Sequence, residues 1–218
     1  MKAFGQSGRI QANGFREVRR VVCPPQAGFS LVELLITMTL MLIMATMMWG
    51  FGSANRQRAG KKACQQNLSK IYLAMQIYAN DCGGKFPGNT NAQTSETALD
   101  VLVPRYTVDT SIFICPGGRD SALPEGESFH NRKISYAYYM GARLNDGQQP
   151  LMSDRQVNTL PKNDGDFAFS TTGRSPGNNH HKYGGDFVFG DGHMEMTPAK
   201  ISFSLPIPQG VVLLNPRP

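Results

Sequence analysis

Between Phe29 and Gly52 the chain has no charged side chain except Glu33. It also has no Cys-x-x-Cys pair, so the local spacing of a zinc knuckle or a thioredoxin-like redox centre is missing. No nucleic-acid motif occurs and no basic stripe carries interleaved aromatics, which excludes nucleic acid as an expected partner. Ser170, Thr171 and Thr172 form no recognisable nucleophile motif beside the C-terminal histidines, and no enzymatic activity is expected. The basic excess is largely local. The formal net charge of +6 falls to +2 once residues 1–28 are set aside, leaving 17 basic against 15 acidic side chains. The remaining chain, about 190 residues long, suffices for one hydrophobic core but scarcely for two domains.

What is present begins with the apolar run itself, which is long enough to cross a bilayer as a helix. A carboxylate placed in hydrocarbon costs roughly 2.5–3.5 kcal/mol on insertion scales, so Glu33 calls for a partner or a function. Ahead of the run, Lys2, Arg9, Arg16, Arg19 and Arg20 face the single acid Glu17. Arg56, Arg58, Lys61 and Lys62 follow it, so both flanks are basic and flanking charge alone does not set orientation. The segment Gly28-Phe29-Ser30-Leu31-Val32-Glu33-Leu34 behind a basic leader resembles the processing site of type IV prepilins and type II secretion pseudopilins. That resemblance implies cleavage between Gly28 and Phe29 by a membrane-embedded prepilin peptidase, with N-methylation of Phe29. Gly28 suits the position before the cut because the peptidase backbone can approach it closely. Glu33 would neutralise the N-terminal amine of a sister pilin-like subunit, which supplies the missing compensation for its charge. The implied setting is the bacterial inner membrane, crossed once, with a periplasmic head and an inner-membrane assembly platform as a further partner. An ordinary signal peptide cut after Gly52-Ser53-Ala54 is the competing reading, but its apolar region of about 24 residues exceeds the usual 7–15.

Beyond the run, Cys64, Leu68, Ile71, Tyr72, Met75, Tyr78 and Ala79 recur at spacings of three and four and predict one apolar helical stripe. Gly60 is a weak point at which the helix is expected to bend, and Gly83-Gly84 followed by Pro87 is expected to end it. A helix from Phe29 to about Asp81 would be roughly 80 Å long. Met38, Met41, Met44, Met47 and Met48 read as an adaptable packing surface between helices rather than a metal or redox stripe. The expected fold class is α+β and pilin-like: a leader over 1–28, a membrane and assembly helix over 29–52, its amphipathic continuation over 53–82, and a loop-rich β head over 83–218.

Within the head, Ile112–Pro116, Ser135–Tyr139 and Pro150–Asp154 predict strands, and Gly210–Leu214 a further one. Gly185–Met196 predicts a hairpin turning at Asp191-Gly192. With Cys23 in the leader, Cys64, Cys82 and Cys115 remain, which permits one internal disulfide and one spare thiol. Cys82–Cys115 is one pairing. The Cys64–Cys115 pairing resembles one that recurs in pilin-like proteins of this type, and its loop of about 50 residues would add roughly 4 kcal/mol in the chain-entropy model. Counting from His181, nine residues intervene before Asp191-Gly192, a pattern similar to the C-terminal signature of prepilin-type proteins with an H-X9-DG domain.

Three uses are open to the polar cluster around His180, His181, Asp186, Asp191 and His193. It is a structural turn in which His181 pairs with Asp191 or the loop backbone. Alternatively Asp154, His181, Asp186 and Asp191 hold a cation, with calcium the one that carboxylate and carbonyl oxygens favour. The third use is a His181–Asp191 acid–base pair at the hairpin base. Two function classes follow: a filament subunit, with type II secretion ahead of pili, or a membrane-tethered binding module or enzyme that never polymerises.

Overall fold

A computed structural model describes residues 28–129, 131–157, 162–180, 183–205 and 207–218, without the side chains of 49–54, 56 and 57. Of the leader expected over 1–28, residues 1–27 with Cys23 lie outside the described residues, as does His181. The chain divides into two compact units, Met1–Thr46 and Met47–Pro218.

Helix α1 spans Leu31–Asp81. In the first unit its side chains are all exposed, including the large apolar ones. The hydroxyls of Thr37, Thr39 and Thr46 donate back to carbonyls three or four residues earlier, which satisfies them without water. Leu31–Met48 is long and apolar enough to cross a membrane, with a mean hydropathy of 2.1.

In the second unit α1 changes character as its sequence does. Cys64, Leu68, Ile71, Tyr72, Met75 and Ala79 are buried, and Tyr78 packs against them, so the stripe predicted from spacing is the face that meets the sheet. The helix continues through Gly60 without interruption. What the glycine provides is proximity: a Cβ there would lie 3.3 Å from the Cα of Gly117. Past Asp81, Gly83 and Gly84 adopt φ of 66° and 79°, and the Gly84 N–H donates to the Ala79 carbonyl at 2.7 Å, closing the helix end.

The head carries a five-stranded antiparallel sheet of β1 (Tyr136–Met140), β2 (Pro150–Asp154), β3 (Gly185–Phe189), β4 (Met194–Thr197) and β5 (Val212–Leu214). Its spatial order is β4-β3-β2-β1-β5. The architecture is therefore α+β, consistent with the pilin-like fold. Strand alternation sorts two cores. Tyr136, Tyr138, Met152 and Val188 face α1, while Tyr139, Phe187 and Phe189 face the opposite side with Phe169, Ile201 and Leu205. A register shift between Pro150 and Met152 lets the adjacent Leu151 and Met152 both join the α1-side core.

One predicted strand is absent. Thr110–Phe113 forms a 3-10 turn, started by the Asp109 carboxylate, which accepts from the Ser111 N–H at 3.1 Å. Ile112 and Phe113 are buried there as a plug against the core rather than as a paired strand, and an apolar run alone does not separate the two.

Candidate functional site

At the start of the described chain Gly28 has open space where a Cβ would stand, and Phe29 is 81% exposed. Helical hydrogen bonding begins with the Leu34 N–H donating to the Ser30 carbonyl at 3.1 Å. Glu33 lies in the first turn of α1 and is exposed. A carboxylate is favoured there by the positive end of the helix dipole. Its neighbours from Phe29 to Met48 are apolar, small or hydroxyl-bearing, so within this stretch no side chain offers it a counter-charge.

The second cluster lies beneath α1. The structure joins Cys64 on α1 to Cys115, with their Cα atoms 5.2 Å apart, and leaves Cys82 free and exposed. Immediately beside the bridge is His180, whose Nε2 is 3.5 Å from the Cys115 Sγ and 3.3 Å from the Asp154 Oδ2. Asp154 ends β2 and is completely buried. Its Oδ1 accepts from the Asn179 amide at 2.9 Å, and its Oδ2 accepts from the Asp186 backbone N–H at 2.9 Å. The Asn179 amide also donates to the Ser135 carbonyl at 2.7 Å, which ties the 178–180 segment to the start of β1. Gly117 fits against this assembly only because it has no side chain, since a Cβ would lie 2.5 Å from the His180 Nδ1.

Asp186, one residue into β3, is a second buried carboxylate close to this assembly. Among the described residues neither of its carboxylate oxygens has a hydrogen-bond partner, and the Lys61 Nζ stands 3.9 Å from Oδ1. Burial and the neighbouring Asp154 charge push its carboxyl up to about 7, against the pull of Lys61 and His180. Lys61 in turn donates to the carbonyls of Tyr183 and Thr197 at 3.0 and 3.1 Å, fastening α1 to the base of the β3–β4 hairpin.

Asp191 is elsewhere. It sits in the tip of that hairpin, where its Oδ1 accepts from the His193 N–H at 3.0 Å and lies 2.6 Å from the His193 Nδ1. The His193 ring stacks on Phe189 at 4.2 Å. Of the predicted turn pair only Gly192 takes positive φ, at 91°, and it abuts the ring of Tyr72. The Tyr72 hydroxyl donates to the Gly190 carbonyl at 3.2 Å, so the turn is pinned to α1. Tyr72 and Lys61, which mark the positions of Asp191 and Asp186, are roughly 16 Å apart along the helix. Asp154 and Asp186 therefore come together, and Asp191 does not join them in a single ion site. The expected His181–Asp191 pair falls partly outside the described residues, while the described partner of Asp191 is His193. His180, the neighbour of His181 in sequence, is buried, and its partner is Asp154.

Elsewhere, a surface groove of about 680 Å³ is lined by Lys85, Phe86, Asn89, Met140 and Arg143 among others. None of the residues predicted to form a site lines it.

Residues 23–49 match the prokaryotic N-terminal methylation motif. The matched span contains Gly28, Phe29 and Glu33 and ends within the apolar part of α1, so the chain carries a prepilin-type methylation motif at its N-terminal end. No curated protein and no solved structure matches the chain.

Proposed function

We propose that this chain is a pilin-like subunit, cut by a prepilin peptidase between Gly28 and Phe29, methylated at Phe29 and assembled into a filament serving type II protein secretion. The observation that carries the proposal is the methylation motif at 23–49, which runs into the helical stretch Leu31–Met48, where the apolar side chains are all exposed around one carboxylate. A helix apolar on every side is stable only in lipid or among other helices. Cleavage at Gly28 frees an amine at Phe29, and Glu33 of one subunit neutralises that amine on the next as both lie in hydrocarbon. Helix packing supplies the cohesion, and the exposed methionines adapt to an irregular neighbour. The head then stands in the periplasm, with the inner-membrane platform and sister subunits as partners.

A structural role also suits the head. His180, Asp154 and Asp186 are closed off beneath α1, at 1% exposure or less, where a substrate has no access. The competing signal-peptide site after Ala54 falls inside α1, whose helix runs unbroken across it.

The test is the N-terminal mass of the protein from native membranes, by peptide mapping with intact-mass confirmation. N-methylated Phe29 is the expected terminus. An intact Met1, or a start at Asn55, would overturn the proposal.

A further inference from the structure

Four ligand-bearing side chains from distant parts of the sequence converge in the buried cluster: Cys64 on α1, Cys115 after the 3-10 turn, Asp154 at the end of β2, and His180. Their ligand atoms all lie within 4.8 Å of one another, and all four residues are buried. From the geometry we infer that, when Cys64 and Cys115 are reduced, these residues form a tetrahedral site for a zinc-like divalent cation.

The spacing supports this. With ordinary zinc bond lengths, a tetrahedral site sets a nitrogen and an oxygen ligand about 3.3 Å apart, a sulfur and a nitrogen about 3.5 Å apart, and two sulfurs about 3.8 Å apart. The His180 Nε2 is 3.3 Å from the Asp154 Oδ2 and 3.5 Å from the Cys115 Sγ. Two of the six edges are thus in place while the sulfurs are bonded to each other, the remaining ligand pairs lie within 4.8 Å, and the sulfur pair has to open. The outer support exists as well, because metal-binding carboxylates are held by hydrogen bonds of their own. Asp154 is held by the Asn179 amide and the Asp186 N–H, and the His180 ring is wedged against Gly117. Two soft thiolates and a borderline imidazole outnumber the one hard carboxylate, and that donor set favours zinc-like ions over calcium and magnesium.

The chemistry balances. A dithiol reductant gives two electrons and two protons to the Cys64–Cys115 bond and becomes a disulfide itself, leaving two thiols. Each thiol loses its proton to solvent as its sulfur binds the cation, so two protons leave per ion. A disulfide oxidant takes two electrons from the two thiolates and, with two protons from solvent, leaves as a dithiol, while the Cys64–Cys115 bond reforms and the ion is released. The tie between α1 and the head is consequently kept in either redox state, by a covalent bond or by a shared metal.

The experiment uses the full chain in detergent, with Cys23→Ser and Cys82→Ser to remove the other two thiols, reduced by a phosphine and titrated with Co²⁺ as the probe. One cobalt per chain is expected, with thiolate-to-cobalt charge-transfer bands and the visible bands of a tetrahedral ion, displaced by Zn²⁺. Cys64→Ser should remove the charge-transfer intensity belonging to one sulfur. His180→Ala should weaken binding by at least about tenfold. The oxidised chain should show none of these bands. Near-ultraviolet circular dichroism reports whether the reduced head is folded, and a reduced head that has loosened should recover its signal on adding the metal. Absence of the bands in the reduced chain, with or without that signal, would overturn the site. So would bands left unchanged by both Cys64→Ser and His180→Ala, or equal binding by the oxidised chain.

Discussion

The Cβ position of Gly60 lies 3.3 Å from the Cα of Gly117, and the Cβ position of Gly117 lies 2.5 Å from the Nδ1 of His180. Two glycines thus let the 116–118 backbone pass between α1 and the buried histidine, close enough for Cys64 and Cys115 to bond. Gly117→Ala should destabilise the head by about 1–3 kcal/mol, the usual range for overpacking. Gly60→Ala should cost less, since its contact is milder and alanine gains about 1 kcal/mol in a helix. Thermal unfolding of the two variants checks the order, and equal stabilities would count against this packing.

Processing should depend on Gly28 through bulk and charge. Gly28→Ala should retain much of the cleavage, while Gly28→Arg should leave the longer precursor on an immunoblot. Glu33→Gln should be cut normally yet fail to enter filaments, read as loss of subunit crosslinks in membranes. Normal crosslinking of Glu33→Gln would favour a tethered module that does not polymerise.

Loss of the covalent tie should be felt globally. In metal-free buffer Cys64→Ala should lower stability by roughly 4 kcal/mol, because it releases a closed loop of 51 residues in the unfolded chain. Cys82→Ser, at an exposed free thiol, should stay within about 0.5 kcal/mol of the parent. Chemical denaturation of both variants separates them.

Lys162 gives the head an alkaline signature. It is buried, with its Nζ donating to the Gln156 Oε1 at 2.7 Å and the Val157 carbonyl at 2.8 Å. Burial pushes its ammonium down to about 8 from the usual 10.5, with Asp166 pulling the other way. The folded chain therefore sheds this proton before the unfolded chain does. Lys162 makes stability rise as pH climbs from about 8 to 10.5, by at most about 1.4 kcal/mol per pH unit. Lys162→Met should remove that component from a plot of unfolding midpoint against pH.

The parts of this molecule that rest on local periodicity could be read from the chain. The α1 stripe from Cys64 to Ala79 and the hairpin around Asp191-Gly192 both depend on spacings within a few residues. Ile112-Phe113 misled because burial, and not pairing, is what makes that run apolar. The neighbours of His180 were beyond reach for a different reason. Cys64, Cys115, Asp154 and His180 share no local spacing, and only the packing of α1 across β1, β2 and β3 brings them together. His181 stood out in the sequence because of its count to Asp191-Gly192, whereas His180 carries no such count and is marked by its contacts with Asp154 and Cys115. The turn itself has a plain use, since Gly192 is what fits against Tyr72.

The Cys64–Cys115 bond also decides where a pulling force goes. Cys64 is the first residue of the buried stripe, ahead of Leu68, Ile71, Tyr72, Met75 and Ala79. Tension drawn along α1 from its N-terminal side reaches the covalent link before it loads any of those contacts. The load passes into the 110–118 turn, and the helix cannot be peeled from the sheet one residue at a time. With that link cut, Leu68 becomes the leading apolar edge of a peel, and the head's resistance to traction falls to that of its non-covalent contacts, the hydrogen bonds of Lys61 and Tyr72 among them.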